Sequence, residues 1–166
     1  MKYLIIADQG LDGVISAASA IIYYDFPLGE TEILFTQPFA LDRVEIPEEA
    51  ERIVVVDVGF NNENPEMTRA FIKRLGSKLL GWFDHHSGWP EDIAGNPALF
   101  VIIPQAKSCG GMIPSGDPEL RANANIADTH GELSPWAQII EEDLKVNPLD
   151  NEARLAAVHK ILKRTK

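Results

Sequence analysis

Six residues of this chain combine types and spacing that could do chemistry: Asp8, Asp12, Asp57 and the consecutive Asp84, His85 and His86. Carboxylates and imidazoles are the donors from which divalent-metal sites are built. Gathered without a cation, several carboxylates repel one another and some hold protons. A divalent ion removes that repulsion. Mixed His and Asp donors suit Mn²⁺, Zn²⁺ or Fe²⁺ better than Ca²⁺, which takes an all-oxygen shell. Taken singly, the pieces are ordinary. Asp12-Gly13 reads as a turn and helix start, and Asp57-Val58-Gly59 as a strand end. The triplet is less ordinary, because it uses two of the four histidines.

What could bring these residues together is a set of strands. Asp8 follows Leu4-Ile5-Ile6-Ala7, Asp57 follows a Val run, and the triplet follows Leu79-Leu80-Gly81-Trp82-Phe83. Each stands just past the carboxyl end of a predicted strand. In an open parallel sheet those ends line the ligand crevice. Strands are expected at residues 3–7, 32–36, 52–58, 78–83 and 99–103, and helices at 13–24, 65–75, 118–126, 135–145 and 152–163. Asn64 suits the cap of the second helix, Pro65 its first turn and Gly76 its stop. The order β-α-β-β-α-β-β-α-α-α predicts an α/β fold. It is a five-stranded, mainly parallel sheet with helices on both faces. Residues 88–97 and 104–118 are dense in Pro and Gly and read as loops. Residues 1–166 read as a single domain.

Composition narrows the function. The chain has 166 residues, 45% hydrophobic and 24% charged, as expected of a soluble globular domain. It has no apolar run long enough for a membrane span, and its start lacks the long apolar region of a signal peptide. The lone Cys109 excludes an internal disulfide and suits the reducing cytoplasm, the expected location. The net charge is −10, which argues against a groove for long nucleic acid. Lys160, Lys163, Arg164 and Lys166 are the one basic cluster, and they read as the end of the last helix.

The triplet after an apolar strand resembles the naming motif of the DHH phosphoesterase superfamily. Leu11-Asp12-Gly13-Val14-Ile15-Ser16-Ala17 resembles the end of that family's first motif. Residues 53–59, with Asp57, resemble the second, and residues 82–88 the third. Ala127-Asp128-Thr129, placed after a helical segment, resembles the fourth. Ser108-Cys109-Gly110-Gly111 resembles the segment between the last two. The likeness is to the N-terminal domain of RecJ-like and exopolyphosphatase-like members.

The resemblance implies two metal ions that share a bridging carboxylate. Asp12, Asp57, His85 and Asp128 would hold one ion, with Asp57 the bridge. Asp84 would orient the imidazoles, and His86 would face the phosphate or its leaving group. The turn at Ser108, Gly110 and Gly111 would offer N–H groups to a phosphate. Cys109 reads as small packing. The departures are specific. The family's first motif carries a carboxylate where this chain has Gly10, so the other ion would rely on Asp8 and Asp57. A strong site and a weak or vacant one are expected. About forty residues follow Asp128, too few for the family's C-terminal substrate domain.

The expected function is therefore a metal-dependent phosphohydrolase, Mn²⁺ first with Mg²⁺, Zn²⁺ or Fe²⁺ compatible. Its substrate is a small phosphoanhydride or phosphoester. The alternatives are a weakly active or inactive binding protein with one intact metal site, or a subunit whose substrate-gripping domain is a separate chain. No membrane and no long nucleic acid is expected as partner, and a homo-oligomer is compatible with the sequence.

Overall fold

The computed structural model describes residues 2–129, 131–148 and 150–165. The elements run β1 (Tyr3–Asp8), α1 (Leu11–Tyr24), β2 (Thr31–Thr36), β3 (Arg52–Val56), α2 (Pro65–Leu75) and β4 (Leu79–Asp84). They continue with a one-turn α3 (Glu91–Ala94), β5 (Phe100–Ile102), a one-turn α4 (Cys109–Met112), α5 (Pro118–Thr129), α6 (Pro135–Val146) and α7 (Asn151–Arg164). The strands form one sheet of five in the order β2-β1-β3-β4-β5. All four pairings are parallel.

The period-2 alternation of side chains divides the core into two layers. Ile5 and Ala7 of β1, with Val54 and Val56 of β3, pack under α1 and the C-terminal helices. Leu4 and Ile6, with Ile53 and Val55, face the opposite way. There they meet Phe71 and Leu75 of α2, together with Trp82 and Phe100. A strand covered on both faces must be apolar throughout, which is why β1 and β3 read as unbroken runs. Gly13 lets α1 press against β1: a Cβ there would stand 2.2 Å from the Asp8 carbonyl oxygen.

This layering fixes where a ligand can bind. The helix that follows β1 lies on one face and the helix that follows β3 lies on the other. The chain therefore diverges between the carboxyl ends of β1 and β3, and a crevice opens at that switch point.

Several local expectations change. The strand expected to reach residue 58 stops at Val56, because Asp57 turns to φ 60°. The helix expected to end at residue 126 runs to Thr129, so Asp128 lies within α5 rather than after it. Asn64 stands at the start of α2, but its side chain makes no capping bond. Asn61 Oδ1 instead accepts from the N–H groups of Glu63 and Asn64, at 3.1 and 3.0 Å. The two loop-rich stretches each contain a short helix, α3 and α4. In the basic tail, Lys160 pairs with Asp143 at 3.1 Å, and Arg164 pairs with Glu119 and lies over Trp136. Lys166 lies outside the described residues. No described helix is long and apolar enough to cross a membrane.

Candidate metal centre

Three strand ends and two helix ends meet at the crevice. Asp8 closes β1, Asp57 follows β3, and Asp84, His85 and His86 leave β4. Asp12 comes from the first turn of α1, and Asp128 from the last turn of α5. A carboxylate at a helix C-terminus opposes the macrodipole, so Asp128 is placed at some cost to α5.

His85 is the centre of the cluster. Its Nε2 lies 3.0 Å from Asp128 Oδ2, 3.4 Å from Asp57 Oδ1 and 3.9 Å from Asp12 Oδ2. Among the described residues two sets of donor atoms converge to within 4.8 Å: Asp12, His85 and Asp128, and Asp57, His85 and His86. Both use His85. These residues line a cavity of about 630 Å³, which Asp8 and Gly10 also border. Leu144, Lys145 and Pro148 form its far wall.

Each ligand-type side chain has a support. Asp12 is 4% exposed and accepts the N–H groups of Cys109 at 2.7 Å and Gly110 at 3.0 Å. The Gly111 N–H donates to Ser108 Oγ at 2.9 Å, and Ser108 Oγ donates to Asn125 Oδ1 at 2.8 Å. In the turn expected to present N–H groups to a phosphate at Ser108, Gly110 and Gly111, the Gly110 N–H is thus spent on Asp12 and the Gly111 N–H on Ser108 Oγ. Its glycines are required by space, since a Cβ on Gly111 would meet Asn125 Oδ1 at 2.2 Å. Cys109 is fully buried, with Sγ against the Phe83 carbonyl oxygen at 3.1 Å. Burial pushes its thiol well above the usual range, which leaves it unreactive.

Asp84 is fully buried and works at one remove. Its Oδ1 holds His86 Nδ1 at 2.7 Å, and its Oδ2 accepts the indole N–H of Trp89 at 2.6 Å. This carboxylate–imidazole pair leaves the other ring nitrogen of His86 for the cavity. Asp8 Oδ1 accepts the Gly10 N–H at 2.7 Å. Asp57 sits in the left-handed region, costly for a residue with a side chain and typical of functional sites. Its buried Oδ1 has no hydrogen-bond partner.

Electrostatics record the crowding. Burial, and then the neighbouring Asp128, push Asp12 up to about 6. Burial, and then Asp12, raise Asp57 well above the carboxylate range. The nearby carboxylate of Asp128, and then that of Asp57, push His85 up to about 11. Without a cation the cluster retains protons. That is the chemistry of a site built to exchange protons for a metal ion.

No family model matches the chain, and no curated protein matches it. Solved structures do show likeness. CDC45 from Entamoeba histolytica is 8% identical, with a TM-score of 0.46 over 99% of this chain and 34% of that one. An uncharacterized protein from Helicobacter pylori is 16% identical, with a TM-score of 0.40 over 91% of this chain and 45% of that one. RecJ from Thermus thermophilus, in complex with Mn²⁺, is 19% identical, with a TM-score of 0.40 over 86% of this chain and 20% of that one. The chain thus spans less than half the length of each.

The residues themselves fit a divalent cation. The orphaned Asp57 Oδ1 is a buried acceptor with no donor, and an ion within reach of His85 Nε2 satisfies it. Among the described residues the donors on offer are the two convergent sets, Asp12, His85 and Asp128, and Asp57, His85 and His86. Two supports escaped the sequence reading. Trp89 carries no motif, and a half-buried aromatic gives no sign of its partner. Arg154 lies on the last helix, far from any of the site residues in sequence.

Proposed function

We propose that this chain is a metal-dependent phosphoesterase domain of the DHH type, acting on a small phosphorylated substrate. The observation that carries the reading is His85 Nε2, which faces three carboxylates from separate parts of the chain, one with an unpartnered buried oxygen. The motif resemblance supports it, since the same four residues are those the resemblance assigns to one ion.

A bound divalent ion, Mn²⁺ foremost, supplies Lewis-acid polarisation of a phosphoryl oxygen and an acidified water. The protein does the rest. Asp12, Asp57, His85 and Asp128 hold the ion, and Cys109 and Gly110 hold Asp12 in place. Asp84 fixes the ring of His86, whose free nitrogen faces the cavity to stabilise charge or deliver a proton to the leaving oxygen. The cavity admits a small ester or anhydride, and Lys145 is the one Lys or Arg among its lining residues. A second reading, a weakly active binding module, is favoured by Gly10, where no side chain can hold a second ion. Hydrolysis of an aryl phosphate and of pyrophosphate with added Mn²⁺ separates the two. Turnover lost with a chelator and restored by Mn²⁺ supports the enzyme. Tight Mn²⁺ binding without turnover supports the module.

A further inference from the structure

Arg154 on α7 is 3% exposed, and a guanidinium keeps its charge in any protein. Buried charges are normally paired with an opposite charge. Among the described residues no carboxylate forms an ion pair with Arg154. Its Nε donates to the Gln9 carbonyl at 2.9 Å, Nη1 to the Asp150 carbonyl at 3.0 Å and Nη2 to the Pro148 carbonyl at 2.6 Å. Two of these partners border the site: Gln9 directly follows Asp8, and Pro148 lines the cavity wall. The guanidinium carbon also lies 6.0 Å from the centre of the Phe35 ring.

The cavity divides into two halves. His85 Nε2 serves Asp12, Asp57 and Asp128, and one imidazole nitrogen serves one ion. The other half has Asp8, whose Oδ1 is tied to the Gly10 N–H, and neither convergent donor set includes Asp8. In place of a full set of ligands, that half has Arg154 bonded to the carbonyls of Gln9 and Pro148 at its border. Two-metal sites place a second ion where charge develops on the substrate. A guanidinium bonded to the backbone of Gln9, the residue after Asp8, repels such an ion and balances the carboxylate in its stead.

We propose that Arg154 is a positioning residue that takes the electrostatic place of a second divalent ion. It clamps the loop after β1 to the loop before α7 and sets a fixed positive charge behind Asp8, so that the cavity holds one tight ion. This rests on the metal-centre reading above.

Mn²⁺ titration by calorimetry of the full chain tests it, with Arg154→Met and Arg154→Gln removing the charge and Arg154→Lys keeping it. Wild type binds one tight ion. Arg154→Lys also binds one, at a lower melting temperature, because an ammonium cannot span the three carbonyls. A folded Arg154→Met gains a second ion at least tenfold tighter than any second binding in wild type. Arg154→Gln, whose amide can still donate to the Gln9 carbonyl, gives the same result and decides the matter if the Met variant does not fold. No Mn²⁺ binding in wild type would sink the metal centre itself. A single ion in wild type that stays single in the folded neutral variants overturns the role of Arg154 alone. Two tight ions in wild type, or a second ion gained equally by Arg154→Lys, overturn it as well.

Discussion

The indole N–H of Trp89 donates to Asp84 Oδ2 across 2.6 Å, and so holds a fully buried carboxylate in place from outside the Asp-His-His triplet. The remaining oxygen of Asp84 is thereby left to His86. Trp89→Phe keeps an aromatic ring but removes the pyrrole ring and its N–H, and so leaves Asp84 one donor short. An unsatisfied buried acceptor costs about 1–3 kcal/mol, and each kcal/mol lowers the melting temperature by ~2–4 °C in a domain of this size. Calorimetry should show that loss, and Mn²⁺-dependent turnover should fall with it. An unchanged melting curve and rate would mean the bond does not orient His86.

Asp57→Asn should act in opposite directions with and without metal. Burial and the neighbouring Asp12 disfavour the Asp57 carboxylate, so a neutral amide relieves repulsion in chelator. The variant should melt at or above the wild-type temperature there. Added Mn²⁺ should then fail to stabilise it, whereas wild type gains stability by mass action. Equal Mn²⁺ stabilisation of both proteins would remove Asp57 from the ligand set.

Stability should fall with pH when metal is chelated. The His85 value is raised from 6.5 to about 11 in the fold, so its contribution is full below 6.5 and is lost as pH rises through about 11. Asp12 is raised from 3.8 to about 6, so its contribution is full below 3.8 and is lost through about 6. Both shifts mean that the folded chain binds more protons than the unfolded one, and stability then declines as pH rises. Mn²⁺ must displace these protons, so its affinity should climb with pH. The climb extends well above the ordinary imidazole value that the sequence alone suggests. Melting in chelator and Mn²⁺ titration, each from about pH 5 to about pH 9, check both slopes. Parallel slopes of the same sign would contradict the linkage.

Gly10→Asp should fold. Gly10 has φ −73°, a region open to any residue, and an added Cβ meets only Asp8 Oδ1, at 3.1 Å. The new carboxylate joins Asp8 at the poorer half of the cavity, where like charges call for a cation. A second Mn²⁺ should bind about tenfold more tightly than in wild type, equivalent to ~1.4 kcal/mol. A folded variant with an unchanged titration would show that a carboxylate at this position cannot reach the ion.

Single-stranded DNA of about twenty nucleotides should bind weakly at physiological salt, because strand affinity comes from several Lys or Arg contacts. The cavity lining offers Lys145, and its ammonium lies 2.8 Å from Glu141. Fluorescence anisotropy with labelled DNA measures this. Tight, salt-sensitive binding would point to a nuclease instead.

The sequence by itself determined the sheet and the strand ends that carry Asp8, Asp57 and the triplet. Those signals are local: a strand buried on both faces must be apolar along its length, and polar residues gather where it stops. The parallel order placed those ends together without further information. Tertiary structure alone decided how the site is held. The N–H groups of Cys109 and Gly110 that hold Asp12 come from 97 and 98 residues further along the chain, and backbone donors leave no trace in residue type. Asp57 at φ 60° ended the strand expected to run to residue 58. Trp89 and Arg154 read as an ordinary aromatic and an ordinary helix cation until packing brought one to Asp84 and the other to Gln9. Periodicity reports which face a residue presents. Which atom it meets is set by how α4, α5 and α7 pack on the sheet, and that depends on contacts far apart in the chain.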